Sequence, residues 1–412
     1  MRKPHWPRVA RHAESAAAPI LPIMLASCVL LPAATPAHGQ LTIRLTDVPA
    51  GTPAGAAIYM AGSCNGWNPA AAGYQLQKTA GGYSVTLPAA VRGPIEFKFT
   101  LGSWAAVEVD AGGNDISNRG FTVPDTGTAT YRGTVAAWRD PSVPRRVRAS
   151  TARPSVAVLD TAFAMPQLGR TRRVWLYLPP DYGTSAKRCP VIYMHDGQNL
   201  FDAASAYAGE WGIDETLDSL HAAGDRGAIV VGIDNGGTKR LDEYSPWRSP
   251  AHGGGEGAQY VAFIAATLKP YIDAHYRTLP DRLNTAIAGS SMGGLISLYA
   301  ILKYPQVFGR AGVFSPSLWF SPEIFGLAKS VQPLRPDPRI YLVTGGLEIA
   351  PGERAGGPGD DQARMLDALT AVGFKTRTEV TASVPPDGRH AEWFWRREFP
   401  VAYLWLFANH PR

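Results

Sequence analysis

Cysteine is scarce in this 412-residue chain, which contains only Cys28, Cys64 and Cys189. Cys64 and Cys189 fall in different predicted domains, each beside a strand, so unpaired thiols are favoured over a disulfide or a metal site. The sequence also lacks a phosphate-cradling glycine motif after a strand, and it lacks a cluster of residues with metal-ligand spacing. We therefore expect no cofactor and no bound metal.

Charged residues make up 18% of the chain, and the formal net charge is +6. Half of that charge comes from residues 1–39, in which four basic residues face one acidic residue. The remainder contains no basic run with interleaved aromatic residues, the pattern typical of nucleic-acid binding. Composition therefore argues against a nucleic-acid partner.

Residues 1–39 have the pattern of a secretory signal peptide, with a basic start, an apolar run at Ala18–Ala34 and small residues before Gly39. Three prolines interrupt the run, which argues against a membrane-spanning helix. Cys28 completes a stretch that resembles a lipoprotein box, but apolar residues continue beyond it, so ordinary cleavage is favoured over lipid attachment. Either route predicts an exported protein, secreted or periplasmic, whose mature part has no membrane span.

The chain is longer than one hydrophobic core usually organises, so two domains are expected. Short alternating segments between Gly, Pro, Asn and Asp clusters predict a small all-β sandwich over residues 40–138. Residues 139–155, rich in proline and arginine, are typical of a linker. Strands and helices then alternate over residues 156–412, which predicts an α/β domain with a mostly parallel sheet.

Apolar runs define the elements of this second domain. The predicted strands are Arg173–Leu178, Val191–Met194, Ala228–Ile233, Thr285–Ala288, Arg310–Phe314, Ile340–Thr344 and Thr378–Ser383. Two stretches with 3.6-residue apolar spacing, Tyr260–Ile272 and Met365–Val372, predict helices that contribute to the core.

The sequence around Ser291 has the form G-x-S-x-G, between an apolar β-type run from Thr285 and a helical segment ending at Ala300. Strand, tight turn and helix are the context that a nucleophile elbow requires. Gly289 and Gly293 leave room for the close approach of strand and helix, while Ser291 projects its hydroxyl. The motif predicts a serine nucleophile.

A serine hydroxyl needs a neighbouring base, which in this fold order lies downstream of the elbow. His390 follows the last predicted strand in a Gly- and Pro-marked loop, whereas His195 precedes the elbow and fits less well. Glu348 follows a predicted strand and a glycine turn, the usual place of the acid that orients the base. Asp360 and Asp361 stay open as alternatives for the acid.

The oxyanion that develops during acyl transfer needs two backbone N–H donors. Met292, directly after the nucleophile, supplies one of them if the elbow forms. The loop His195–Asn199 is expected to supply the other, with Gly197 permitting an unusual backbone conformation.

Three stretches resemble the putative-esterase family of α/β-hydrolases: Tyr193–Phe201, Gly289–Gly294 and His390–Trp393. Relatives in this family include feruloyl esterases, enterochelin-type siderophore esterases and mycolyltransferases. The resemblance spans about residues 156–407. It implies the roles of nucleophile, base, acid and second oxyanion N–H for Ser291, His390, Glu348 and Gln198. The segment Arg240–Pro246 also matches the family, which implies only that it lines the cleft.

A second resemblance lies in the predicted sandwich, in Met60–Pro69, Glu96–Phe99 and Gly102–Trp104. These stretches are similar to parts of the starch- and glycogen-binding modules. The resemblance implies that indole rings stack on sugar faces while polar neighbours bind hydroxyls, and the implied glucan contacts are Trp67, Lys98, Trp104 and Asn118. The alternative is that Trp67 belongs to the core and that the sandwich is a spacer.

Together these features predict an exported serine esterase that forms an acyl-enzyme on Ser291. The glycan-module resemblance favours carbohydrate-linked feruloyl or acetyl esters, small or polymeric, as substrates. Three alternatives stay open: a siderophore esterase, an acyltransferase acting on a sugar, and a non-catalytic glycan-binding protein on a hydrolase scaffold. The intact set of Ser291, His390 and Glu348 argues against the last of these.

Overall fold

The computed structural model describes residues 39–140, 142, 148–249, 253–333, 336–348 and 358–407. The predicted signal peptide up to residue 38, with Cys28, lies outside this part of the chain. Within the described residues, Cys64 and Cys189 are free thiols. No helix among them is long and apolar enough to cross a bilayer.

The N-terminal region is a β-sandwich. Its strands are β1 (Gln40–Asp47), β2 (Ile58–Gly62), β3 (Gln75–Thr79), β4 (Gly82–Thr86), β5 (Gly93–Thr100), β6 (Glu108–Val109), β7 (Arg119–Val123), β8 (Thr128–Thr134) and β9 (Ala137–Trp138). Hydrogen bonding gives the order β7-β5-β2-β3-β4-β1-β8. The first half of β3 pairs with β2 and its second half pairs with β4, so β3 joins the two layers. Apolar side chains such as Ile43, Phe97 and Phe99 fill the core between them.

The second region is built on one mixed sheet. Its strands are β10 (Val156–Met165), β11 (Arg170–Tyr177), β12 (Val191–His195), β13 (Ile229–Ile233), β16 (Thr285–Ser290), β17 (Arg310–Phe314), β18 (Arg339–Val343) and β19 (Val380–Ser383), with a small separate ladder of β14 (Arg248–Ser249) and β15 (Gly253–Gly254). The order is β10-β11-β13-β12-β16-β17-β18-β19. Strands β12, β13 and β16 to β19 pair in parallel, and β11 pairs antiparallel with both its neighbours. This is the α/β-hydrolase sheet that the sequence predicts.

Helices cover both faces of this sheet. They are α1 (Ile213–Ala222), α2 (Arg240–Glu243), α3 (Gly257–Phe263), α4 (Lys269–His275), α5 (Met292–Lys303), α6 (Glu323–Ser330), α7 (Pro358–Ala371) and α8 (Glu392–Phe407), and a π-helical turn, Ile264–Leu268, joins α3 to α4. Helices α1 and α8 pack on one face, and α3 to α7 pack on the other. Because both faces are buried, the residues in the middle of the central strands are apolar on both faces.

The observed strands of the α/β domain begin and end within a few residues of the predicted bounds. The apolar pattern does not reveal β10, because this edge strand leaves most of its side chains at least partly exposed. Helix α8 is equally hard to recognise from periodicity, since it contains Pro400 and carries the apolar residues Trp393, Val401 and Leu404 on its exposed side. Helix α8 nevertheless matters for the site, because it begins directly after the loop that carries His390.

The predicted linker makes specific contacts wherever the structure describes it. The Ser150 hydroxyl and the Thr151 N–H donate hydrogen bonds to the carboxylate of Asp202. The Arg148 guanidinium donates to the carbonyl of Asp115 in the sandwich and to that of Ala206 in the α/β domain. The end of the linker therefore connects the two domains through polar contacts with each.

Candidate active site

Ser291 occupies a strained turn between β16 and α5. Its backbone has φ 59° and ψ −121°, in the region that non-glycine residues rarely adopt. Two backbone hydrogen bonds fix this conformation: the Ser291 N–H donates to the Phe314 carbonyl at 2.9 Å, and the Ser317 N–H donates to the Ser291 carbonyl at 3.0 Å. A strained residue held by its neighbours in this way is the geometry of a nucleophile elbow.

The space beneath the elbow is filled by His195. A Cβ on Gly289 would lie 2.9 Å from the His195 ring, which explains why glycine stands there. The His195 Nδ1 is hydrogen-bonded to the Tyr260 hydroxyl at 2.9 Å, and the ring is 1% exposed. Burial lowers the pKa of His195 to about 3, so its imidazole is neutral. This buried position suits packing under the turn better than proton transfer.

His390 lies in the loop between β19 and α8 and contacts Glu348. The His390 Nδ1 is 3.0 Å from the Glu348 Oε2. The other carboxylate oxygen of Glu348 accepts hydrogen bonds from the Ser315 hydroxyl at 2.7 Å and from the Gly345 N–H at 2.8 Å. Because Glu348 is held in this way, it can fix the orientation and tautomer of the imidazole. Of the three acids considered from sequence, Glu348 is the one in contact with His390, whereas Asp361 pairs with Arg364.

The surroundings of His390 favour its charged form. Burial alone would lower the pKa of His390, but the hydrogen bond and the charge of Glu348, together with the carboxylates of Glu96 and Glu392, raise it to about 9. The imidazole is therefore largely protonated at neutral pH in the free protein. As the pH rises towards 9, a larger fraction of the imidazole is neutral and can accept a proton.

The loop that carries Gln198 is held by an ion pair. Asp196 has φ 55°, and its carboxylate accepts hydrogen bonds from Arg240 Nε at 2.7 Å and Nη2 at 2.8 Å. Burial alone would raise the pKa of Asp196, but Arg240 outweighs burial and lowers it. Arg240 thus has a role beyond lining the cleft, because it fixes the turn from which the Gln198 N–H would act.

The reason for glycine at position 197 differs from the expected one. The residue with the left-handed backbone is Asp196, and Gly197 is required for space. A Cβ at Gly197 would lie 2.8 Å from the backbone of Gly232 and Ile233 in β13. The short 3₁₀ turn Gly197–Asn199 can therefore sit directly on the end of the sheet.

Ser291, His390 and Gln198 line the same cavity of about 820 Å³. That volume is large enough for an organic ligand of moderate size. The cavity wall is mixed, polar and apolar: three basic side chains, three acidic side chains and His390 lie along it together with four amides. These groups are Arg148, Arg173, Arg240, Asp196, Asp234, Glu392, Asn114, Gln198, Asn199 and Asn235. Asn114 comes from the sandwich, so both domains shape the cavity.

The four residues named as glucan contacts fall into two groups. Trp67 and Trp104 form a tilted pair with ring centroids 6.3 Å apart and an interplanar angle of 39°; Trp67 is half-buried and Trp104 is 39% exposed. Lys98 is 6% exposed, and its Nζ donates to the Ile116 carbonyl at 2.5 Å. Asn118 donates to the Glu96 carboxylate at 3.1 Å. The two tryptophans form a pair at the surface, while Lys98 and Asn118 are engaged within the protein.

Several residues of the site cannot be found from sequence motifs. Ser315 accepts a hydrogen bond from Trp395 Nε1 at 2.9 Å and donates to Glu348, which ties the acid to α8. Ser317 contacts the Ser291 hydroxyl at 3.2 Å. The available signal was their place directly after β17, next to the elbow. Glu96 contacts His390 from 294 residues away in the chain, and no local pattern could have linked them.

Comparison with known proteins places these features in a family. The family model described as "Putative esterase" matches residues 165–406. The protein YbbA of Bacillus subtilis, which is uncharacterised, is 28% identical over 253 residues, and the match covers 58% of this chain and 94% of YbbA. An endo-1,4-β-xylanase/feruloyl esterase of Xylanibacter ruminicola is 25% identical over 244 residues, 58% of this chain and 30% of that protein.

A shorter match, over 106 residues, is 42% identical to an α-amylase of Niallia circulans and covers 26% of this chain but 8% of the amylase. The chain therefore spans less than a third of two of these relatives. Among solved structures, the enterobactin esterase FES of Shigella flexneri superposes with a TM-score of 0.53 over 86% of this chain and 89% of that one, at 17% identity. That likeness shows a shared fold across most of both chains. The chain belongs to the putative-esterase family of the α/β-hydrolases, and its relatives support ester hydrolysis as its chemistry.

Proposed function

We propose that this protein hydrolyses carboxylic esters through an acyl-enzyme on Ser291, with His390 as the base and Glu348 as the acid that orients it. The observation that supports this assignment is the 3.0 Å contact between His390 Nδ1 and Glu348, with His390 and Ser291 on the wall of one cavity. The order of serine, acid and histidine along the chain is that of the family.

In the first half-reaction the neutral His390 Nε2 takes the proton of the Ser291 hydroxyl while the serine oxygen attacks the ester carbonyl. The carbonyl oxygen becomes an oxyanion, which the N–H groups of Met292 and Gln198 would stabilise. His390 then gives the proton to the departing alcohol. Water repeats the sequence on the acyl-enzyme, releasing the acid and restoring the Ser291 hydroxyl.

The Ser291 hydroxyl has to turn to begin this sequence. In the structure it contacts the Ser317 hydroxyl at 3.2 Å. A rotation about the Cα–Cβ bond of Ser291 would direct it towards the imidazole instead, a small change between staggered rotamers. Catalytic hydrogen bonds are often long or differently directed before substrate binds. Ser317 would thus hold the resting hydroxyl at the edge of the cavity.

The side chains of the cavity wall favour a neutral, hydroxyl-rich substrate. Apart from His390, the three acidic and three basic side chains of the wall balance in number, and Arg173 and Arg240 are paired with Asp234 and Asp196. Such a wall offers many hydrogen bonds with little net charge, which suits a sugar ester better than a multiply charged ferric catecholate. We therefore favour carbohydrate-linked feruloyl or acetyl esters, which an exported enzyme would meet outside the cell.

The tryptophan pair of the sandwich supports glycan binding near this site. Trp67 is half-buried and Trp104 is 39% exposed, with ring centroids 6.3 Å apart, and stacking on sugar rings needs accessible indoles of this kind. The similarity of a 106-residue segment to an α-amylase agrees with this role. We propose that the two tryptophans bind glucan without Lys98, whose ammonium group is buried.

A substrate panel tests the proposed function. Purified protein would be assayed on methyl ferulate, acetylated xylan and a ferric catecholate siderophore, with Ser291→Ala as the matched blank. We expect kcat/KM for one of the carbohydrate-type esters to exceed that for the siderophore by at least about tenfold, a difference of roughly 1.4 kcal/mol in transition-state binding. Turnover of the siderophore alone would favour the alternative activity. Equal turnover by Ser291→Ala would refute the mechanism itself.

A further inference from the structure

One side chain of the sandwich contacts the histidine of the active site. Glu96, on β5, accepts a hydrogen bond at Oε1 from the backbone N–H of His390, at 3.1 Å. Its Oε2 accepts a hydrogen bond from Asn118 Nδ2, also at 3.1 Å, and its own N–H donates to the Ser63 hydroxyl. The carboxylate of Glu96 is therefore fixed at both oxygens, and one of them binds the catalytic loop.

The contact belongs to a wider packing of the sandwich against this edge of the α/β domain. Strand β5 lies against the 3₁₀ turn Gly346–Glu348, which carries the acid. The backbone of Gly120 in β7 lies so close to the Arg389 guanidinium that a Cβ there would collide with it. The Ser117 hydroxyl donates to the Ala208 carbonyl at 3.2 Å. The sandwich thus touches the acid turn and the histidine loop together.

The histidine loop needs support of this kind. Residues 384–391, between β19 and α8, form neither helix nor strand, so no regular ladder fixes the backbone of His390. Glu348 holds the side chain of His390 at Nδ1, and Glu96 holds its main chain at the N–H. The two carboxylates come from different domains, and together they determine where Nε2 points.

We propose that Glu96 is a positioning residue for the base His390, and that the sandwich is therefore a part of the catalytic unit in addition to any role in glycan binding. The inference rests on the proposed role of His390 as the base. It extends the site across the domain boundary and assigns a function to a face of the sandwich that the glycan resemblance does not explain.

If the Glu96 charge acts on His390, removing that charge should change the pKa of His390, which a loss of packing alone would not do. The carboxylates acting on His390 are Glu348 after β18, Glu96 from β5 and Glu392 from α8, and all three raise its pKa. Lys98 and Arg240 face the site too, but they act on Glu392 and Asp196. Neutralising Glu96 removes one of three negative charges near the imidazole. The pKa of His390 should therefore fall.

The variant Glu96→Gln keeps the shape and can still accept the His390 N–H, but it removes the charge. The Glu96 charge stabilises imidazolium both in the protonated resting enzyme and in the transition state. Removing that charge should therefore change the rate by an amount that depends on pH. On p-nitrophenyl acetate we expect the acid limb of kcat/KM to move to lower pH by roughly half a unit and the alkaline plateau to fall about threefold. Rates near pH 7 should change less than about twofold.

The variant Glu96→Ala also removes the hydrogen-bond acceptor, so kcat should fall by about a further tenfold below that of Glu96→Gln at every pH, with KM little changed. Asp125→Asn, an exposed carboxylate-to-amide change in the same sandwich, is the matched control and should reproduce the wild-type profile. Thermal unfolding of each variant identifies any loss of folded protein, and Glu96→Gln alone decides if Glu96→Ala does not fold.

The proposal is overturned if the pH profile of Glu96→Gln superimposes on those of wild type and Asp125→Asn. It is also overturned if the loss in Glu96→Gln is the same at every pH, since a merely structural change would scale the whole curve. Neither result bears on Ser291 as the nucleophile, which the turnover of Ser291→Ala tests separately.

Discussion

The two domains contribute to the active site in different ways. The α/β domain supplies the side chains that would react with the ester, Ser291 and His390, together with Glu348, and each follows a parallel strand of one sheet. The sandwich supplies Glu96 and the tryptophan pair, none of which would exchange a proton or form a bond with the substrate. We propose that the chemistry lies in one domain, while the other positions the base and binds sugar.

The residues of the sandwich also fall into two groups, one in contact with the α/β domain and one at the surface. At Glu96 and Lys98 the side chains of β5 are turned to the α/β domain and engaged there: Glu96 binds the His390 N–H, and the Lys98 ammonium lies 5.7 Å from the ring centroid of Tyr207. Trp67 and Trp104 remain at the surface as a pair. The sandwich thus has an internal contact surface at β5 in addition to the tryptophan pair. Variants in the two domains should separate these contributions.

The largest effect should come from the acid in the α/β domain. Glu348→Gln keeps the contact with His390 but can impose the wrong tautomer and no longer stabilises the imidazolium. Loss of such an acid has cost about 10⁴-fold in kcat in a serine protease, so we expect at least about 10³-fold here. The measurement is kcat on p-nitrophenyl acetate, with Glu323→Gln, an exposed acid on α6, as the control. If Glu348→Gln retained more than a tenth of the wild-type rate, the acid would have to be sought elsewhere.

The smallest effect on chemistry should come from the tryptophan pair. Replacing Trp67 and Trp104 by alanine removes both indole faces, so retention on insoluble starch should weaken by roughly tenfold. The loss should appear as a lower fraction bound in pull-down experiments at equal protein concentration. Trp393→Ala, which removes an exposed indole from the α/β domain, should bind as wild type does. If the intact protein is not retained at all, the sandwich serves only as a structural partner of the active site.

The α/β domain could be predicted from sequence because its signals are local. Apolar runs of strand length and the glycines around Ser291 follow from burial on both faces and from the tight turn. His390 and Glu348 could be selected by their order after strands of the sheet. The edge strand β10 escapes detection because its apolar residues, three of them alanines, do not alternate with polar ones, although most of its side chains are at least partly exposed.

The contacts between domains could not be predicted, because they depend on how two surfaces meet. Glu96 and His390 are 294 residues apart, and nothing in either segment marks the other. The resemblance implies that Lys98 lies at a sugar surface, but its ammonium group donates to the Ile116 carbonyl of the sandwich and lies 5.7 Å from the ring centroid of Tyr207 in the α/β domain. Gly197 was recognised from sequence as a residue that the loop requires, but the reason for glycine there was not. Glycine is needed because β13 approaches closely, and the residue with the left-handed backbone is its neighbour Asp196.

The central claim is that Ser291 is the nucleophile, and covalent labelling tests it most directly. The protein would be treated with a p-nitrophenyl phosphonate ester and analysed by intact-mass spectrometry, followed by peptide mapping. We predict one adduct per chain, located on Ser291, formed faster as the pH rises through about 9 because His390 must be neutral to accept the proton. Absence of an adduct, or an adduct on another residue that persists in Ser291→Ala, would contradict the account.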